Sequence, residues 1–255
     1  ISGDNTITFD TLSDGTYTPT VTFTDASGNA STVTLTSFVI DTAAPTVSSF
    51  TLSDSALKSG ETATVTIEFS EAVTGFASDD DVTASNGSLS TMTSSDNITW
   101  TGTYTPTAGI EDDSNVLTLA TSYTDTVGNA GPSATTANFT IDTAAPTVSE
   151  DTVVSTPSND TTPSVVISSN EAGTITSSLG FTSTTTGISG DNTITFNTLN
   201  AGTYTPTVTF TDASGNESTV ALTSFVIDDT APTLIEDTVV STPSNDTTPS
   251  VVISS

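Results

Sequence analysis

The sequence predicts an all-β chain built as a linear rod of tandem two-sheet β-sandwiches. Three observations lead there: a period-two alternation of side chains, turn signals between the alternating runs, and long internal repeats. In "TYTPTVTFTD", Tyr17, Val21 and Phe23 share one face while Thr16, Thr18, Thr20, Thr22 and Thr24 share the other. "ATVTIEF" turns Ala63, Val65, Ile67 and Phe69 inward, and "ITWTGTY" does the same with Ile98, Trp100 and Tyr104. The turn signals "SDG", "SGN", "NG" and "NAG" separate such runs, and no segment carries a helical period. Short alternating strands in units of roughly 90–100 residues imply about seven strands each, folded as two antiparallel sheets.

The repeats set the unit boundaries. Residues 1–46 match 188–233 at an offset of 187, and residues 146–169 match 232–255 at an offset of 86. The phrase "FVIDTAAPTV" at 38–47 returns as "FTIDTAAPTV" at 139–148 and "FVIDDTAPTL" at 225–234. Its prolines, Pro45, Pro146 and Pro232, are spaced 101 and 86 residues apart, and these spacings add to the 187-residue offset. Two unit types follow. Residues 1–45 are expected to be the C-terminal part of one type, and 46–145 a complete unit of the other. Residues 146–231 are a complete unit of the first type, and 232–255 begin a further one. The chain reads as a window on a longer array.

Thirty acidic residues face one basic residue, Lys58, for a net charge of −29. Such a surface repels nucleic acid and anionic membranes, so neither is an expected partner. Charged residues make up only 12% of the chain, and Thr, a strand former, fills the polar positions. With no Cys and no His, disulfides, thiolate or imidazole zinc sites and Ser-His or Cys-His catalysis are excluded. No apolar run reaches the length of a transmembrane helix, and no membrane insertion is expected.

A resemblance then becomes specific. The "IDTAAPT" boundaries, "FSEAVTGF" at 69–76, "SSDNITWTGTYTP" at 94–106 and "YTDTVGNAG" at 123–131 resemble bacterial immunoglobulin-like domains of large surface adhesins and biofilm-associated proteins. "LSDGTYT" (12–18) and "LNAGTYT" (199–205) also resemble the tyrosine corner of such sandwiches. The resemblance implies an extracellular location, at the bacterial cell surface or in a biofilm matrix.

Sandwich topology of that kind sorts the acids. Glu71 falls in the B–C loop and Asp125 in the F–G loop, both facing the incoming linker at Asp41, with Asp10 and Asp14 added from the preceding unit. The next boundary repeats the pattern with Asp142, Glu171 and Asp212, joined by Glu111, Asp112 and Asp113. The second "GTYTPTVTF" unit replaces Asp10 and Asp14 by Asn197 and Ala201, while its linker gains Asp229 beside Asp228. Converging carboxylates without Lys or Arg call for a hard divalent cation, and Ca2+ with its oxygen ligands is the expected cofactor. Asn29, Asn129 and Asn216 are further oxygen donors, although turn geometry accounts for them equally. An Asp at a strand end before a proline is also a plain turn device. "SDDD" at 78–81 is expected to face solvent.

The expected function is structural and not enzymatic: an extender of a long adhesin or matrix fibre, rigidified by Ca2+ at its junctions. Neighbouring repeats are the expected partners, with lateral association of copies into fibres as a further option. The alternatives are a carbohydrate- or protein-binding module and a self-assembling filament subunit. Strands of roughly 10–12 residues would add about 35–40 Å of reach per domain.

Overall fold

A computed structural model describes residues 3–255. The chain divides into two compact units between Thr143 and Ala144. Both are all-β and made of several small sheets.

In the first unit the central sheet runs in the order Gly87–Leu89, Thr99–Pro106, Ala63–Phe69, Val47–Leu52, every neighbour antiparallel. Ala63–Phe69 shows why it forms. Val65 and Ile67 are fully enclosed while Thr64 and Glu68 face water, so the period-two pattern becomes a buried and a wet face. A second sheet pairs Glu111–Asn115 with Phe139–Asp142, which in turn lies parallel to Ala56–Lys58. A third sheet joins Ala134–Thr135, Leu117–Leu119 and Val82–Ala84. Side chains from all three meet in one apolar cluster that runs from Phe50 to Ile141 and includes Phe69, Tyr104, Leu117 and Phe139. Trp100 is half-buried at its margin, edge-on to Phe76 with ring centroids 4.8 Å apart.

Residues 3–45 precede this cluster and contribute two hairpin-like pairings, Gly15–Tyr17 with Phe38–Ile40 and Thr20–Thr24 with Ala30–Thr34.

The second unit repeats those pairings and adds to them. Gly202–Tyr204 pairs with Phe225–Ile227, and Thr207–Thr211 with Glu217–Ala221. The latter sheet continues through Gly173–Ser177 to Thr186–Gly187. Val148–Thr152, Ser164–Ser169 and Gly190–Thr195 form a further sheet. Their inner residues enclose a separate cluster containing Val165, Ile167, Ile175, Ile194, Phe196, Val208, Phe210 and Phe225. On the outer face, Thr209 and Thr219 share a hydroxyl hydrogen bond of 2.7 Å across the strands, and Thr22 and Thr32 share one of 2.8 Å. Residues after 232 supply one hairpin, Ile235–Thr238 with Val252–Ser254.

Two expectations need correction. The strands are short, the longest being the eight residues of Thr99–Pro106. Register shifts between Val47 and Ser49, and between Glu150 and Thr152, mark where the pairing is interrupted. "SDDD" forms a single helical turn, Ser78–Asp81, with Asp81 buried. Its carboxylate accepts the Ala77 N–H at 2.7 Å and the Ser122 hydroxyl, and these donors hold a charge that would otherwise face water.

The tyrosine-corner contact is present in both copies. Tyr17 Oη donates to the Ser13 carbonyl at 2.8 Å, and Tyr204 Oη to the Asn200 carbonyl at 2.9 Å.

Candidate functional site

Three carboxylates converge in the first unit. Asp41 follows the strand Phe38–Ile40, Glu71 lies between the strands Ala63–Phe69 and Val73–Thr74, and Asp125 ends the strand Thr124–Asp125. One oxygen from each lies within 4.8 Å of the others, and this is the one group of three metal-ligating side chains among the described residues. Asp125 is buried, while Asp41 and Glu71 are half-buried. Lys58, the chain's single basic residue, stands in register with Asp142 on a different strand pair.

The linker is held at this place by the protein itself. The Asn129 side-chain amide donates to the carbonyls of Asp41 and Ala43, both at 3.2 Å. The same amide reaches Asp125 Oδ2 at 2.7 Å. Asp41 Oδ1 accepts the Ala43 N–H at 3.1 Å, which turns the chain just before Pro45. Thr46 N–H donates to Ser70 Oγ and Ser70 N–H returns to the Thr46 carbonyl, each at 2.9 Å. Asn129 therefore ties a loop of the 46–143 fold to the segment that enters it.

Asp125 has a second task. Its Oδ1 accepts the N–H groups of Val127, Gly128 and Asn129 at 2.9, 2.7 and 2.9 Å. Burial pushes its pKa up, but these donors and the Asn129 amide outweigh burial and hold it below the usual 3.8. The loop needs Gly128 at φ +105°, a conformation open to glycine. The same D-x-x-G-N loop occurs twice more. Asp25 accepts from Ser27 and Asn29 at 2.8–2.9 Å, and Asp212 accepts the Asn216 N–H and amide at 2.9 Å. This capping role was readable in the triplicated spacing, yet an acid count passes over it.

The remaining expected ligands lie elsewhere. Asp14 accepts the Thr42 N–H at 3.0 Å and its hydroxyl at 2.8 Å, so it fastens the linker one residue beyond Asp41. Asp10 is exposed and outside the cluster. Asp142 stands in register with Glu111 at a strand end of the first unit. Asp112 accepts the Asn86 amide at 2.8 Å and the Ser114 N–H at 2.9 Å. Asp113 is exposed, its carbonyl taking the Asn138 amide at 2.8 Å. Glu171 and Asp212 belong to loops of the second unit, Asp212 buried as the cap of its own loop. Asp228 accepts the Thr230 N–H at 3.1 Å, and Thr230 holds its pKa down. Asp229 is exposed beside it.

The donor set of the cluster is all oxygen and fully acidic. That chemistry fits a hard cation of the Ca2+ type and disfavours metals that want sulfur or imidazole. Asp41 and Glu71 have carboxylate oxygens to give, Asp125 chiefly its Oδ2, and an ion would draw further ligands from water.

Comparison with known proteins bears on the same segment. Residues 41–141 match the family described as Bacterial Ig-like domain. No curated protein matches the sequence. Among solved structures, the Yersinia pseudotuberculosis adhesin InvE is similar over 69% of this chain and 58% of its own, at 17% identity and a TM-score of 0.33. The Escherichia coli adhesin FdeC is similar over 78% and 69%, at 18% identity and a TM-score of 0.35. The human desmocollin-1 ectodomain is similar over 82% and 41%, at 12% identity and a TM-score of 0.34.

Proposed function

From the premise that residues 41–141 are a bacterial Ig-like domain, we propose that the chain is an extender of an extracellular adhesin or matrix fibre, stiffened by Ca2+ where one repeat enters the next. In this reading each apolar cluster is the core of a two-sheet immunoglobulin-like sandwich, with complete units at 46–145 and 146–231. The module carries load and distance, and it is not an enzyme. Neighbouring repeats are its partners, and the bacterial surface or its matrix is its place.

One observation carries the reading: the linker acid Asp41 converges with two loop acids of the following domain, Glu71 and Asp125. Three carboxylates this close repel one another unless a cation joins them. The repulsion acts between the incoming linker and the domain, so an ion there would resist bending at that point.

The test is Ca2+ titration calorimetry on the 255-residue chain, beside a variant carrying Asp41→Asn and Glu71→Gln. The pair keeps shape and one oxygen at each position, and it leaves Asp125 to cap its loop. The parent should bind Ca2+ with at least tenfold higher affinity than the variant, and Ca2+ should slow amide exchange at residues 41–46 in the parent alone. Equal affinity in the two proteins, or no effect on linker exchange, would show that these acids only shape the turn.

A further inference from the structure

Glu150 is an acid that the expected metal ligands do not include. It lies in the strand Val148–Thr152, which enters the 146–231 unit, at the register shift between Glu150 and Thr152. Its Oε2 accepts both the Thr223 N–H at 2.8 Å and the Thr223 hydroxyl at 2.7 Å. Its Oε1 is enclosed and has no hydrogen-bond partner among the described residues. A carboxylate oxygen shut away from water and left unpaired costs stability, so the position calls for a use beyond equilibrium stability.

Thr223 belongs to the way out of the same unit. It stands between the strands Glu217–Ala221 and Phe225–Ile227, shortly before the linker acids Asp228 and Asp229. Glu150 therefore ties the entering strand to the exit segment across 73 residues of chain. The same seam is closed further along. Val226 N–H donates to Thr156 Oγ1 at 2.9 Å, Ser158 N–H to the Val226 carbonyl at 2.9 Å, and Asp228 N–H to the Ser158 carbonyl at 2.8 Å. Ser158 and Ile227 form an isolated parallel bridge. The 46–145 unit closes its seam with backbone instead, as Ala56–Lys58 runs parallel to Thr140–Asp142 through three residue pairs. With Pro45 aligned on Pro146, the position of Glu150 is taken there by Ser49. The long parallel ladder goes with Ser49, and the isolated bridge goes with Glu150.

We propose that Glu150 locks a mechanical clamp, holding the first strand of the 146–231 unit to its last when the unit is stretched from end to end. The inference rests on the extender reading, in which tension enters at one end of each unit and leaves at the other. Tension draws the entering strand back toward its N-terminal end and the exit segment toward its C-terminal end. Ser158 and Ile227 run parallel, so the two segments are drawn past each other along their length and the ties between them are loaded together. A pull that peels the last strand away breaks the ties one after another. Forced unfolding is governed by the unfolding rate and not by equilibrium stability, so a group that is costly at equilibrium can still serve under load. No metal enters the clamp, which stands apart from the Ca2+ reading.

Constant-force single-molecule unfolding in chelator tests it, on the 255-residue chain held at its two ends. The 46–145 and 146–231 units are told apart by the chain they release, roughly 350 against 300 Å at ~3.5 Å per residue. Glu150→Ala should speed unfolding of the shorter-step unit at least tenfold and leave the longer-step unit unchanged. Glu150→Gln, which keeps an acceptor oxygen for Thr223, should recover part of the loss. A second pulling direction separates a clamp from plain packing. The chain has no Cys, so Cys residues placed at the exposed Ala201 and Thr230 give unique handles. They peel the last strand from Gly202–Tyr204, where Gly202 lies opposite Ile227. In that direction Glu150→Ala should change the rate less than twofold. If Glu150→Ala does not fold, Thr223→Val removes only the hydroxyl donor and should show the same directional contrast, at least threefold end to end. An unchanged rate under end-to-end tension, or equal acceleration in both directions, would overturn the proposal.

Discussion

Phe23 and Phe210 share one sequence context, "TYTPTVTFTDASGN", in two structural settings, which makes them each other's control. Phe210 is wholly enclosed, and Gly173 and Gly187 press on its ring: a Cβ built on them would lie 2.6 and 2.3 Å from it. Removing a buried ring exposes the loss of ~150–200 Å² of apolar burial, which at ~25 cal/mol per Å² is about 4–5 kcal/mol. Retaining the alanine methyl lowers this, and the cavity left behind raises it again, so Phe210→Ala should cost about 3–5 kcal/mol. The two glycines have no side chains with which to fill the hole, so the upper half of that range is expected. Phe23→Ala, at a half-exposed position, should cost no more than about 1 kcal/mol. Urea unfolding at submicromolar protein, followed by circular dichroism and by amide exchange in Thr207–Thr211, reads both. Equal costs for the two variants, or a loss above about 2 kcal/mol for Phe23→Ala, would show that burial does not set the difference.

Asp25 and Asp125 are held below 3.8 by N–H donors of their own loops, which outweigh the opposing effect of desolvation at both, so each stabilises the fold fully above the unfolded carboxylate value. That contribution is lost as the pH falls through the lowered folded value, and carboxyl carbon shifts should place both midpoints under 3.8. Gly131→Ala should destabilise the first unit by about 1–3 kcal/mol through overpacking, because the new Cβ would lie 2.1 Å from the Tyr123 ring; an unchanged melting temperature would contradict this. Burial pushes the Tyr104 hydroxyl up to about 12, and it donates to the Ser85 carbonyl at 2.6 Å. Burial and the Asp81 charge push the Tyr123 hydroxyl up as well, so ultraviolet titration should show raised phenols of which Tyr104→Phe removes one and leaves the other.

What was legible in the sequence was local or repeated. "ATVTIEF" buries the side chains its alternation assigns inward, because a pleated strand has no other way to present them. The tyrosine contacts at Tyr17 and Tyr204 span four residues and were visible for the same reason. What stayed hidden depended on distant partners. Asp81 is buried because Ser122, far along the chain, meets its carboxylate. Asp14 turns to Thr42 and not to the cluster, a choice made by the approach of two strands. The exposure of Phe23 against the burial of Phe210 was legible in the repeats and not in local pattern, since residues 1–45 match only the later part of the complete unit.

The three D-x-x-G-N loops also decide how the acid cluster must be probed. Asp25, Asp125 and Asp212 each cap a loop with hydrogen bonds that need no ion, so loop geometry alone explains an acid at that position. Replacing Asp125 would open its loop and release Asn129 from the linker carbonyls whether or not Ca2+ binds. Loss of stiffness in such a variant says nothing about metal. Asp41 and Glu71 are different. Asp41 makes a turn contact through Oδ1, which an asparagine oxygen can keep, and Glu71 is half-buried in the loop between Ala63–Phe69 and Val73–Thr74. The ion reading therefore rests on these two side chains, whose neutralisation leaves the Asp125 loop and the tie of Asn129 to the linker in place.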